Sequence, residues 1–215
     1  MIDSYRHKGL RRALVKKLKA KGIQDERVLE AINTVPRHFF LDTAFLEKSY
    51  EDIAFPIEEG QTISQPYTVA FQTQLLEVDR GDKILEIGTG SGYQCCILLE
   101  LGATVFTIEY NQRLSHKARA LLHKMGYRPK FICGDGSKGL AAFAPFDKIL
   151  VTAGAPIVPQ TLKDQLKVGG YLVIPVGDHK SQKMLRITRL SETEYEEESF
   201  QNFKFVPLLG EYGWK

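Results

Sequence analysis

Cysteine is scarce. The 215-residue chain has three, of which Cys95 and Cys96 are adjacent and Cys133 stands alone, so no framework of paired cysteines is written into it. The five histidines (His7, His38, His116, His123, His179) fall at no metal-ligand spacing with cysteines or acids, and no metal site is expected. Long hydrophobic runs are missing too. The longest apolar stretches are of strand length, too short to cross a bilayer, and residues 1–21 are basic and polar rather than signal-like. These absences point to a cytoplasmic protein without a membrane partner. There is no internal repeat and no low-complexity linker.

What is present suits one compact unit. Hydrophobic residues make up 43% and charged residues 26%, enough apolar material to bury a core without disulfides or metal. The net charge of +3 is unevenly placed. Arg6, Lys8, Arg11, Arg12, Lys16, Lys17, Lys19 and Lys21 crowd the first segment against Asp3 alone. That cluster reads either as a nucleic-acid patch or as the wet face of an amphipathic helix packed through Leu10, Leu14 and Leu18. The second reading is favoured, because aromatic residues for base stacking are few there; no nucleic-acid partner is expected. No apolar surface stripe demands a partner subunit, and a monomer is expected.

Residues 3–48 read as helical, with an acidic start at Asp25-Glu26 and a stop before Pro36. From Lys83 the pattern changes. Short apolar runs at 83–87, 104–109, 130–133, 147–152 and 171–176 alternate with helical segments at 93–101, 113–125 and 160–166. Strands that are hydrophobic throughout, separated by helices, indicate a parallel sheet covered on both faces, the doubly wound α/β architecture. Two more strands, at 184–190 and 203–208, are expected as an antiparallel pair, joined by a solvated acidic connection at 192–198. The expected division is an N-terminal helical extension (1–80) and a sheet core (81–215), folded as one unit.

The first strand of the core ends in Leu85-Glu86-Ile87-Gly88-Thr89-Gly90-Ser91-Gly92. A glycine turn from strand to helix lets backbone approach a ligand closely. Such turns seat many nucleoside cofactors, so the spacing must discriminate. Dinucleotide sites use Gly-x-Gly-x-x-Gly and hold a pyrophosphate on the helix N-terminus. Here glycine recurs at every second position, and Tyr93 occupies the place of the third dinucleotide glycine. Glu86 would repel a pyrophosphate but suits a ligand bearing an ammonium and a sulfonium. S-adenosylmethionine is such a ligand. Glu109 ends the second strand, where a carboxylate can accept both hydroxyls of a ribose. Asp135, in Gly134-Asp135-Gly136, ends the third and is expected on the adenine amino group, although turn chemistry alone also explains Gly-Asp-Gly. The expected cofactor contacts therefore include Glu86, Gly88, Thr89, Gly90, Ser91, Glu109, Tyr110, Asp135 and Gly136.

After the fourth strand stands Val151-Thr152-Ala153-Gly154-Ala155-Pro156. The Asn/Asp-Pro-Pro-aromatic motif that holds a weakly nucleophilic nitrogen is absent. A carboxylate needs less help: it is anionic at neutral pH, with an α-carboxyl pKa of about 3.5.

The segment Gln61-Thr62-Ile63-Ser64-Gln65-Pro66-Tyr67 closely resembles the signature of the protein-L-isoaspartate O-methyltransferases, in which the catalytic serine matches Ser64. The resemblance continues through Leu85 to Gln94, Val151-Thr152-Ala153, Leu166 to Gly177, and Phe205-Val206-Pro207-Leu208, nearly the whole chain. It departs at Gln72, where the family commonly has methionine, and at Gly154, where alanine is common. It implies a Rossmann-like class I methyltransferase sheet and methyl transfer from S-adenosylmethionine to the α-carboxylate of L-isoaspartyl residues in peptides and damaged proteins. By similarity Ser64 orients the carboxylate; no Gly-x-Ser-x-Gly elbow surrounds it, so it is not a nucleophile. Thr62 and Ile63 are implied to line the cofactor pocket. Gln65, Val206 and Pro207 are implied to meet the peptide, the last two as a short added strand.

Overall fold

Capping chemistry and apolar stripes set the N-terminal helices of the protein, seen here as a computed structural model describing residues 2–214. The Ser4 hydroxyl accepts from His7 N at the start of α1 (Tyr5–Ala20). Leu14 and Leu18 are buried there and Leu10 is half-buried, while the basic residues face water. Arg11 is the exception: its buried guanidinium forks onto the Asp3 carboxylate at 3.0 and 3.1 Å. Asp25 caps α2 (Glu26–Thr34), accepting from the N–H groups of Arg27 and Val28, and the helix ends ahead of Pro36. Two 3-10 turns follow, at Arg37–Phe40 and Thr43–Lys48. A two-residue hairpin, β1 (Phe55–Pro56) with β2 (Thr62–Ile63), leads into α3 (Pro66–Leu76), which has proline in its first turn as helix starts prefer.

The core is β3 (Lys83–Ile87), α4 (Tyr93–Glu100), β4 (Thr104–Glu109), α5 (Gln112–Lys124), β5 (Lys130–Cys133), β6 (Phe146–Val151), α6 (Gln160–Asp164), β7 (Leu166–Gly177), β8 (Gln182–Arg189) and β9 (Tyr195–Phe203). Seven strands form one sheet in the order β5-β4-β3-β6-β7-β8-β9, parallel through β7 and antiparallel thereafter. The chain winds outward from β3 to β5, then crosses back to β6 on the other side. The strand order therefore reverses at β3, and the crevice at its carboxyl end is where such sheets bind ligands.

Alternate residues of each strand enter opposite layers. Ile84, Val105, Leu150 and Val173 join the cluster that holds Leu14 and Leu18 of α1, Val28 and Ile32 of α2, and Val69 and Leu76 of α3. Leu85, Ile87, Phe106, Ile149 and Leu172 join Leu162 and Leu166 on the other face. The N-terminal helices thus share their core with the sheet. No helix among the described residues is long and apolar enough to cross a membrane.

One element differs from expectation. The acidic stretch is not wholly a connection: residues 195–198 form the first part of the edge strand β9 (Tyr195–Phe203), and residues 204–208 leave the sheet. They cross its carboxyl edge instead, with Gly154 N donating to Val206 O and Leu208 N to Gly154 O, both at 2.8 Å. Pro207 and the lost ladder partners explain why that apolar run is not a full strand.

Candidate active site

The turn after β3 is shaped by glycine. At Gly88, φ is +96° and an added Cβ would lie 2.5 Å from the Thr152 hydroxyl, which itself donates to Gly88 O at 2.6 Å. At Gly90, φ is +52° and the backbone N–H donates to Glu109 Oε2 at 2.8 Å. The other carboxylate oxygen, Oε1, accepts from Asn111 N at 2.9 Å. Glu109 is thus held by two backbone donors, each oxygen keeping a further lone pair for a ligand. It faces a cavity of about 260 Å³ at the carboxyl edge of the sheet. Gly88, Thr89, Gly90 and Ser91 form one side, Tyr110 and Gly136 another, and Thr62, Ile63 and Ser64 a third; Val206, Pro207 and Leu208 close it. A glycine bend a side chain would fill, a pre-oriented carboxylate and an apolar wall of Ile108 and Leu208 fit a ribonucleoside.

Ser64 comes from the short link between β2 and α3. Its side chain is half-buried, and among the described residues no protein group bonds its hydroxyl. The link is anchored from below by Asp52, whose side chain is 1% exposed. Asp52 Oδ1 accepts from Tyr67 N at 2.8 Å, its carbonyl accepts from the Gln65 amide at 3.0 Å, and Lys21 Nζ sits 2.6 Å from Oδ2. A second groove, of about 690 Å³, begins here, with Gln65, Tyr67, Phe203 and Phe205 on its wall. It shares Thr62, Ser64, Thr152 and Val206 with the first cavity, so the two adjoin at those residues.

Two expected cofactor contacts are corrected. Glu86 does not reach the cavity. It shares a sheet face with Ile84, is fully buried under α4, and accepts from the Thr107 hydroxyl at 2.6 Å. Burial pushes its carboxyl up to about 8, so it is largely protonated at neutral pH and supplies no charge for an ammonium. Its link to the site is indirect: Thr89, on the cavity, bonds Thr107 at 2.6 Å. Asp135 is likewise outside the lining. Oδ1 accepts from Ser137 N and Oγ, and Oδ2 from Glu211 N, so the acid serves the turn and pins the C-terminal loop. The following residue, Gly136, does line the cavity.

Other residues were not anticipated. Thr152 and Gln94 line the cavity although they stand in the motifs quoted above; the strand-end rule that singled out Glu109 applies equally to Thr152, just past β6. Glu59 and Asn111, bonded to each other at 3.2 Å, carry no sequence signal. Away from the site, Asp3, His7 and His38 bring ligand-type atoms within 4.8 Å of one another. These atoms are engaged already, Asp3 with Arg11 and His38 Nδ1 with the Tyr50 hydroxyl at 2.7 Å.

A glycine bend at the switch point of this sheet, a ribose-ready carboxylate on the next strand and the antiparallel last strands define a Rossmann-like methyltransferase. The chain belongs to the protein-L-isoaspartate(D-aspartate) O-methyltransferase family, whose sequence model matches residues 9–213. The protein-L-isoaspartate O-methyltransferase of Cytophaga hutchinsonii is 64% identical over 214 residues, covering 100% of this chain and 97% of that one. That of Christiangramia forsetii is 56% identical over 210 residues, 97% and 98% of the two chains. A solved protein-L-isoaspartate O-methyltransferase superposes with a TM-score of 0.85 at 30% identity, over 94% of this chain and 67% of that one. A Plasmodium falciparum structure assigned the same activity, in complex with S-adenosyl-L-homocysteine, gives 0.81 at 24% identity over 93% and 98%, a likeness of fold.

Proposed function

We infer that this protein transfers a methyl group from S-adenosylmethionine to the α-carboxylate of L-isoaspartyl residues in peptides and damaged proteins. The observation that carries the reading is the junction of the two cavities at Thr62, Ser64, Thr152 and Val206, which lets an acceptor in the groove meet a donor in the cavity. When bound, S-adenosylmethionine supplies a methyl on a sulfonium, a good leaving group.

The protein's own residues position. Glu109 would accept the ribose hydroxyls, Gly88 to Ser91 with Thr62 and Ile63 would hold the donor's chain, and Tyr110 and Gly136 would hold the base. The Ser64 hydroxyl, without a protein partner among the described residues, would donate to one acceptor oxygen and orient the other for transfer. The acceptor is already an anion, so no general base is required and orientation supplies most of the acceleration. Gln65, Val206 and Pro207 border the peptide; the Val206 carbonyl is already committed to Gly154, which leaves only the outer edge of that segment to receive an added strand. The methyl ester then cyclises to a succinimide with loss of methanol, and its hydrolysis returns part of the residue to normal aspartate.

Transfer of labelled methyl to an isoaspartyl peptide, with its aspartyl twin as control, tests the reading. Label is expected on the isoaspartyl peptide alone. Equal labelling of both, or of neither, overturns it.

A further inference from the structure

The groove leading to Ser64 is charged in one sense. Lys180, in the β7–β8 turn, and Lys204, just past β9, stand on its wall, and no aspartate or glutamate is among its lining residues. Both lysines are exposed, and neither forms an ion pair among the described residues.

The nearby acids lie off the groove. Asp178, whose Oδ1 accepts from Lys180 N at 2.7 Å and Ser181 N at 2.9 Å, keeps its charge but is not among the lining residues. Lys21, over the Tyr67 ring at 5.4 Å, is neutralised by Asp52. The acids of β9 lie toward its other end, where Glu198 pairs with Arg186. From Glu198 to Phe203 is five residues of strand, roughly 16 Å, about twice the screening length at physiological salt. β9 thus carries its acids away from the groove, and Lys204 follows its last residue beside the groove.

We propose that Lys180 and Lys204 set a sequence preference of the methyl transfer, favouring isoaspartyl segments that carry an aspartate or glutamate within about three residues of the damaged position, the reach of roughly 10 Å of extended chain. This rests on the methyl-transfer reading above. The lysines are on the rim and in water, so they act on encounter and retention of the peptide, more on kcat/KM than on kcat, and salt weakens them.

The test compares short isoaspartyl peptides identical except for Glu or Gln two places from the isoaspartate, on either side, at about 50 and about 300 mM salt. The wild type is expected to favour the Glu peptide in kcat/KM by about three- to tenfold at the lower salt, from two exposed pairs, and by less at the higher. In Lys180→Gln/Lys204→Gln the ratio falls to near one; in Lys180→Arg/Lys204→Arg it is kept. Equal rates for both peptides in the wild type, or a preference that survives the glutamine substitutions, overturn the proposal. Transfer to none of the peptides overturns the functional reading and this proposal together.

Discussion

At the scale of the residue, two substitutions separate binding from turnover. Ser64→Ala removes a donor that no protein group among the described residues uses, so the fold loses no hydrogen bond; kcat is expected to fall roughly ten- to a hundredfold, the worth of one charge-assisted hydrogen bond. Isothermal titration with S-adenosylhomocysteine is expected to show nearly unchanged affinity, and an unaltered kcat would remove Ser64 from the mechanism. Glu109→Gln acts the other way. Its carboxylate accepts from Gly90 N and Asn111 N, one per oxygen, and an amide must turn a donor toward one of them. Cofactor binding is expected to weaken by about 1–3 kcal/mol, and no loss in calorimetry would mean that the ribose is held elsewhere. Glu109 was legible because an acid at the end of the strand after the glycine turn has few other tasks. Glu86 was misread for a physical reason: β3 is buried on both faces, so its run of apolar residues does not say which way the one acid points. Only pairing with β4, which sets Thr107 beside it, decides that.

At the scale of the element, the link between β2 and α3 depends on Asp52 more than on its own sequence. The hairpin before it has strands of two residues, too short to hold themselves, and Gln65 offers α3 no side-chain cap. Asp52 stands in for that cap from thirteen residues or more away, bonding Tyr67 N and receiving the Gln65 amide on its carbonyl. Asp52→Ala is expected to cost about 1–2 kcal/mol in urea unfolding, as loss of a helix cap does, and to lower methyl transfer by loosening Ser64. Asp52→Asn keeps an acceptor for Tyr67 N and should recover most of that transfer; equal loss in both variants would show that the Lys21 pair, not the cap, holds the link. Parallel strands β3, β4 and β5 were readable from their apolar runs. β9 was not, because an edge strand is guarded by charge: Tyr195, Phe200 and Phe203 are its only large apolar residues, and Glu198 is answered from the next strand by Arg186. That pairing is invisible until β8 is in place.

At the scale of the whole molecule, the buried acid at the end of β3 makes stability depend on pH in an unusual direction. The N-terminal helices and the sheet share one apolar cluster, so unfolding is expected to expose Glu86 together with that core. In the folded protein its carboxyl is raised from an ordinary 4.5 to about 8, because burial penalises the charged form more than the Thr107 hydrogen bond favours it. Between those two values the folded chain keeps a proton that the unfolded chain has released. Stability from this group is therefore complete below about pH 4.5, falls as pH rises, and is lost above about 8, a change of a few kcal/mol in all. His38, whose pKa burial lowers, works oppositely and favours the folded state as pH rises from acid to neutral. The two are separable by difference. Glu86→Gln removes the first contribution and leaves the second, so the unfolding free energy of the variant minus that of the wild type should climb steadily from pH 5 to pH 8.5. Urea titrations at several pH values measure it. Parallel curves would mean that the Glu86 carboxyl titrates alike in the folded and unfolded chain, and that the chain of hydroxyls from Thr89 through Thr107 ends on an ordinary carboxylate.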